Sequence, residues 1–205
     1  MSGRRKNVIS KASPHTIKKF ELIEEYIKSW AQKLMLTDSC NGLIFIDCMC
    51  NCGVYTNDAG EIVKGTALRV SEALLNVARL YPNKTVQVYL NDKDKNRVDE
   101  LEKHLPQNER NFQIVTSRLD AHELLRTIGP QLYQAGHLHY FLFYDPYDAD
   151  IDWEALLPFF RNWGEVVINH MVSDPVRAIT RAKKKTSKEK YENTYLEDFE
   201  KLVPF

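Results

Sequence analysis

The stretch "LIFIDCMCNCGVY", residues 43–55, joins an apolar run to a loop that holds three of the chain's four cysteines. Asn41-Gly42 reads as a turn before it, and Asp47 closes the apolar run. That is the pattern of a buried strand with a carboxylate at its carboxyl end. A zinc site would need four converging thiolates or imidazoles, usually supplied by two short pairs. Cys40, Cys48, Cys50 and Cys52 contain no C-x-x-C pair, and Cys40 precedes the strand and so falls at its far end. A redox dithiol lacks its spacing for the same reason. A strand-like path through 48–52 points the last three cysteines to one side, as small, slightly apolar linings of a tight loop.

Outward from this stretch, strands and helices alternate. Ser13-Pro14 starts a helix with a capping hydroxyl and a proline at the first helical position. Ile17, Phe20, Ile23, Ile27, Trp30, Ala31 and Leu34 give that helix one apolar face. After a turn-like "TNDAGE", Gly65-Thr66 opens a second helix that Tyr81-Pro82-Asn83 ends. "TVQVYLND" (85–92) is a strand by alternation and β-branching, and "KNRVDELEKHL" is an amphipathic helix stopped by Pro106. "NFQIVTSRLD" (111–120) is a third strand, followed by the helix "AHELLRTIG", which ends at Gly129-Pro130. "HLHYFLFYDPYD" (137–148), the helix "DWEALLPFFRNW" and "EVVINHM" (165–171) complete the series. Such alternation predicts an α/β domain with a mostly parallel central sheet and helices on both faces.

Composition sets the bounds. The chain has 205 residues, enough for one domain with a sizeable core. Its 28 basic and 28 acidic residues cancel, so contact with nucleic acid would rest on a local patch. No apolar run approaches the roughly 20 residues that span a bilayer. The basic start "MSGRRKNVISKASPH" has no apolar h-region. Together with the expectation of reduced thiols, this points to the cytoplasm. Three parts follow: a basic arm over 1–13, the α/β domain over 14–173, and a basic, partly helical segment over 174–205. In the last, Arg177, Arg181, Lys183, Lys184 and Lys185 form a candidate phosphate-contacting patch. The ending "YENTYLEDFEKLVPF" stops without a cap, as the front portion of a longer protein would.

Ligands of open α/β sheets bind beyond the carboxyl ends of the strands. The residues to inspect are therefore Asp47, Asp92, Asp120 and the stretch Asp145-Pro146-Tyr147. An acid after the second strand is placed to accept from ribose hydroxyls. Asp92 lies much further past the first loop than the usual ~20 residues, because "TNDAGEIVKGT" intervenes. That disfavours NAD and suits a ligand without a pyrophosphate, such as S-adenosylmethionine. No G-x-x-x-x-G-K-[ST] occurs, which disfavours a P-loop ATPase.

The order of motifs resembles the three-Cys-motif partner proteins (TcmP), a bacterial family with a class I methyltransferase-like domain. "KKFELIEEYIKSWAQKL" matches their opening helix, and "DCMCNCGVY" lines up with their D-L-F-A-G-P-G-x-Y loop. "GTA" (65–67), "DKD" (92–94), "LDAHELL", "DPYDADIDW" and "VVINHM" follow in the family's order, over roughly residues 15 to 172. The resemblance implies a Rossmann-like class I methyltransferase fold and S-adenosylmethionine as cofactor. It would place Asp47, Cys48, Asn51, Gly53 and Tyr55 around the cofactor, with Asp92 on the ribose and Asp120 and Ala121 by the adenine. Asp145, Pro146 and Tyr147 would address an acceptor amine, with nucleic acid as one candidate acceptor. A protein carrying a three-cysteine motif is the implied partner. The family's glycine loop stands here as Cys50-Asn51-Cys52-Gly53, keeping only the last glycine. Asn51 is the best non-glycine substitute for a left-handed position. Cys50 and Cys52 are expected to add bulk where methionine or ribose would lie. A methyltransferase-like scaffold without catalysis, working through a partner, is accordingly the alternative.

Overall fold

A computed structural model describes residues 8–132, 137–146, 151–160 and 164–169. The first long element is helix α1 (Pro14–Met35), preceded by a short strand β1 (Ser10–Lys11). Ser13 Oγ accepts from the Thr16 N–H and Pro14 opens the first turn, a cap worth about 1 kcal/mol. The expected face of α1 is buried at Phe20, Ile23, Ile27, Trp30 and Ala31; Met35 joins it, while Ile17 and Leu34 remain half-buried.

Strand β2 (Gly42–Asp47) is buried at all six positions, as a strand covered on both faces must be. Beyond it come β3 (Val54–Thr56), β4 (Ile62–Lys64), α2 (Thr66–Leu80), β5 (Thr85–Asn91) and α3 (Lys95–Leu101). The second half holds β6 (Phe112–Ser117), α4 (Ala121–Leu132), β7 (Leu138–Tyr144), α5 (Trp153–Leu156) and β8 (Gly164–Ile168). The main sheet is five-stranded in the order β6-β5-β2-β7-β8, and every pairing is parallel. From β2 the chain steps outward to β5 and β6, then crosses back to β7. The reversal falls between β2 and β7, where open sheets of this kind form a crevice at their carboxyl edge.

Side chains alternate across each strand, and the two faces carry different helices. Leu43 and Phe45 of β2 pack with Val86, Val88, Phe141 and residues of α1 and α2. Ile44 and Ile46 pack with Tyr140, Leu142, Leu125 of α4 and Leu156 of α5. The structure is thus a three-layer α/β arrangement compatible with a Rossmann-like fold. Among the described residues, no helix is long and apolar enough to cross a membrane.

Several elements differ from their sequence pattern. Residues 54–64 form an antiparallel hairpin around the "TNDAGE" turn, and β1 adds to it in parallel as a small second sheet. Residues 10–12 of the expected arm are therefore docked, with Ala12 buried and its N–H donating to Thr56 O over 2.8 Å. Helix α3 stops at Leu101, short of Pro106, where Lys103 and His104 continue in tighter i→i−3 turns. Helix α4 runs through Gly129-Pro130 to Leu132, its apolar face held in the core by Leu124, Leu125 and Ile128. Gly129 lies so close to Pro158 and Phe159 that a β-carbon would sit 3.1–3.3 Å from them. Helix α5 is a single turn that passes into a 3-10 turn at Leu157–Phe160. Tyr147, Asp148, Met171 and the basic cluster Arg177, Arg181, Lys183, Lys184 and Lys185 lie outside the described residues.

Candidate functional site

Parallel register sets the frame of the site. Asp47 is paired with Leu90 of β5 and Phe143 of β7, so β2, β5 and β7 end nearly level. One step on are Asn91 and Tyr144, and then Asp92 and Asp145. Asp47, Asp92 and Asp145 follow Phe45, Leu90 and Phe143 by two residues each, which turns all three carboxylates toward the α1–α2 face.

Asn51 carries the turn after β2. It is the one described non-glycine residue with positive φ, at 57°, and Gly53 follows at 72°. The Asn51 side chain stabilises this shape by accepting from Cys52 N–H over 2.7 Å. Its own backbone N–H donates to Asp92 Oδ2 over 3.1 Å, while Asp92 Oδ1 accepts from Asp94 N–H over 2.9 Å. Arg97 stands 3.4 Å from Asp92 Oδ2. Gly53 fits for a second reason, since a β-carbon there would collide with Leu101 and Leu68.

Below the loop lies Asn91, 1 % exposed, whose carboxamide joins three loops. Its Nδ2 donates to Cys48 O (3.0 Å) and Leu119 O (2.9 Å), and its Oδ1 accepts from Leu119 N–H (3.0 Å) and Ser117 Oγ (2.6 Å). Every donor and acceptor of the amide is used. Nothing in the sequence marks Asn91 out, because its partners lie far away along the chain.

Two cavities open along this edge and share Met49 as a wall. The first, about 320 Å³, is lined by Asp92, Lys93, Asp94, Arg97, Asp120 and Ala121. The second, about 250 Å³, includes Lys19, Asp47, Asn51, Tyr55, Asp145 and Pro146. The candidate residues are therefore largely brought together, Asp92, Asp120 and Ala121 at one end and Asp47, Asn51, Tyr55, Asp145 and Pro146 at the other. Cys48 and Gly53 line neither cavity. Cys48 is buried in the opposite layer with Ile44 and Ile46.

The cysteines do not share one side. Cys40, Cys50 and Cys52 pack in the α1–α2 layer and Cys48 in the other. Cys40 Sγ faces Gly42 O at the amino end of β2. Cys52 Sγ faces Val54 O and Val8 O and lines neither cavity, so its bulk stays out of the cleft; Cys50, 5 % exposed, contributes one wall of the second cavity. All four thiols are free and buried. Burial pushes the Cys48 and Cys50 thiols well above their ordinary range, and raises Cys52 as well. Among the described residues, no group of three or more histidines, cysteines or acids could hold a metal ion.

Helix α1 closes the second cavity from above with Thr16, Lys19 and Phe20. Lys19 Nζ donates to Asp145 Oδ2 over 2.5 Å, and Asn169 Nδ2 donates to Asp145 Oδ1 over 2.6 Å. Asp47 is 2 % exposed and accepts from Met49 N–H over 3.1 Å at Oδ1. Burial raises its pKa to about 7; the Met49 hydrogen bond and Lys19 oppose this, while Asp145 and Asp92 add to it. Lys19 and Asn169 lie in stretches that carry the family resemblance, "KKFELIEEYIKSWAQKL" and "VVINHM", but neither they nor Met49 were expected as site residues.

The chain matches no protein-family model and no curated protein.

Proposed function

We propose that the chain is an S-adenosylmethionine-dependent methyltransferase of class I type, similar to the three-Cys-motif partner proteins. The observation that carries this reading is the backbone at Asn51. It holds a left-handed conformation where the family motif has glycine and is tied to the acid ending the neighbouring strand. The two adjoining cavities suit an elongated ligand with a ribose, a flat base and an amino-acid end. Asp92 retains lone pairs for ribose hydroxyls, Asp120 and Ala121 flank the base, and Asp47 and Asn51 frame the amino-acid end. The bound cofactor supplies a methyl already activated by its sulfonium, so the chain's task is alignment. Asp145 and Pro146 would orient an acceptor amine, and the basic run from Arg177 to Lys185 would favour a nucleic-acid acceptor.

Calorimetric titration with S-adenosylmethionine tests the reading. Saturable binding that Asp120→Ala weakens is expected; no binding at millimolar ligand overturns it.

One observation favours the non-catalytic alternative, a scaffold acting on a partner with a three-cysteine motif. Both oxygens of Asp145 already have donors, so an acceptor amine must displace one of them. Cofactor binding without methyl transfer to any amine-bearing acceptor would select this alternative.

A further inference from the structure

Met49 carries the one sulfur among the described residues that is not buried. Met35 is 1 % exposed, and all four cysteines are buried. Met49 is half-buried in the loop after β2 and forms a wall of both cavities. Cavities of about 320 and 250 Å³ each admit a solute as small as hydrogen peroxide, since a water molecule's share of the liquid is only about 30 Å³. Cys50 also walls the second cavity. Thiols, however, are oxidised through their thiolates. Burial, and after it the nearby Asp47 and Asp92 charges, keep the Cys50 thiol protonated. A thioether carries its lone pair at every pH, so peroxide entering the site meets Met49 as the reactive sulfur.

An oxygen added at this place changes the wall of both cavities. The sulfoxide is polar and accepts hydrogen bonds, where the thioether is flexible and apolar. Carboxylates already outnumber cations in each cavity. Arg97 and Lys19 stand on Asp92 and Asp145, so the new acceptor competes with these acids for the same donors. Its bulk falls between the two cavities, where an elongated ligand must pass. The Met49 N–H donates to Asp47 over 3.1 Å, which ties the backbone of this wall to the end of β2.

We propose that Met49 is an oxidation site at which hydrogen peroxide switches ligand binding off. The Met49 sulfur lone pair attacks one peroxide oxygen and the O–O bond breaks. The departing hydroxide takes up the proton that the transferred oxygen loses, and leaves as water. Sulfur is oxidised by two electrons and the peroxide is reduced. The effect on binding rests on the methyltransferase reading, whereas the selectivity of oxidation does not.

The full chain is exposed to millimolar hydrogen peroxide, quenched with catalase at intervals, and followed by peptide mass mapping. Met49 sulfoxide should form about tenfold or more faster than Met35 sulfoxide, because Met35 reacts only when the fold opens. Equal rates would overturn the proposal. S-adenosylmethionine, titrated by calorimetry, should bind the oxidised protein about tenfold or more weakly, as extra volume in a packed contact requires. The loss should keep pace with Met49 sulfoxide and not with oxidation of Met1 or Met171, which lie outside the described residues. Met49→Leu, whatever its own affinity, should keep that affinity after peroxide. Undiminished binding by protein oxidised at Met49, or equal loss in Met49→Leu, would overturn the proposal and leave the methyltransferase reading standing. Absence of binding before oxidation would overturn that reading and the switch with it.

Discussion

The backbone N–H of Asn51 donates to the Asp92 carboxylate across 3.1 Å. A left-handed turn after the central strand is thereby latched to the acid that ends the next strand. Loss of this carboxylate acceptor from a buried amide N–H would cost about 1–3 kcal/mol.

Substitutions at Asn51 should rank by backbone freedom. Asn51→Ala keeps the β-carbon in the left-handed region, a strain of about 1–2 kcal/mol, but removes the carboxamide that accepts from Cys52 N–H and offsets it. Asn51→Gly also loses that acceptor, about 1 kcal/mol, but is relieved of the strain. Urea denaturation should therefore find Ala the least stable of the three. A variant Ala as stable as Gly would show that φ of 57° is no constraint.

Asp47 makes stability depend on pH in an unusual direction for an aspartate. Its pKa rises from 3.8 to about 7 on folding, so between these values the folded state holds a proton that the unfolded state has released. Stability from this group is full below pH ~4, falls as pH rises toward 7, and levels above it, over a span of about 4 kcal/mol. Asp145 and Asp92 face it and add to the effect, and Lys19 opposes it. Asp47→Asn keeps an acceptor for Met49 N–H. Its melting temperature relative to wild type should climb from pH 4 to pH 7.5; a flat difference would place the carboxylate in water.

Asn91→Ala should cost about 3 kcal/mol, since it strands the Leu119 N–H and the Cys48 and Leu119 carbonyls together. Hydrogen exchange should accelerate at Met49–Gly53 and Leu119–Ala121 together. Acceleration confined to one loop would mean that the amide does not join them.

Thiol reagents should find the folded protein nearly inert. All four cysteines are buried, and the Cys48 and Cys50 thiols are held protonated by desolvation. Labelling should proceed at the rate of unfolding and reach all four sites together. Rapid labelling of one cysteine in the native state would contradict its burial.

The alternation of strands and helices, and the acids at strand ends, were legible because they depend on local pattern and on the parallel sheet's carboxyl edge. The left-handed turn at Asn51 was legible from its residue type set against the glycine of the loop it resembles. The hairpin at 54–64 was not, since its strands are three residues each and half-exposed on one side. Gly129-Pro130 carried a stop signal that core packing of α4 overrides. The split of the cysteines between layers was misread because the loop after Asp47 turns rather than alternating as a strand. Lys19 stayed hidden among many surface lysines, because only the fold brings α1 to the carboxylate after β7.

The return of the chain from β6 to β7 also has a temporal side. By the time a ribosome has added Ser117, α1, α2 and α3 can cover Leu43 and Phe45, but the covering for Ile44 and Ile46 is still unmade. The centre of the sheet is therefore among the first parts synthesised, and one of its sides stays naked until α4 and α5 emerge. That interval is when a nascent chain of this design is most open to aggregation or to a chaperone's grip.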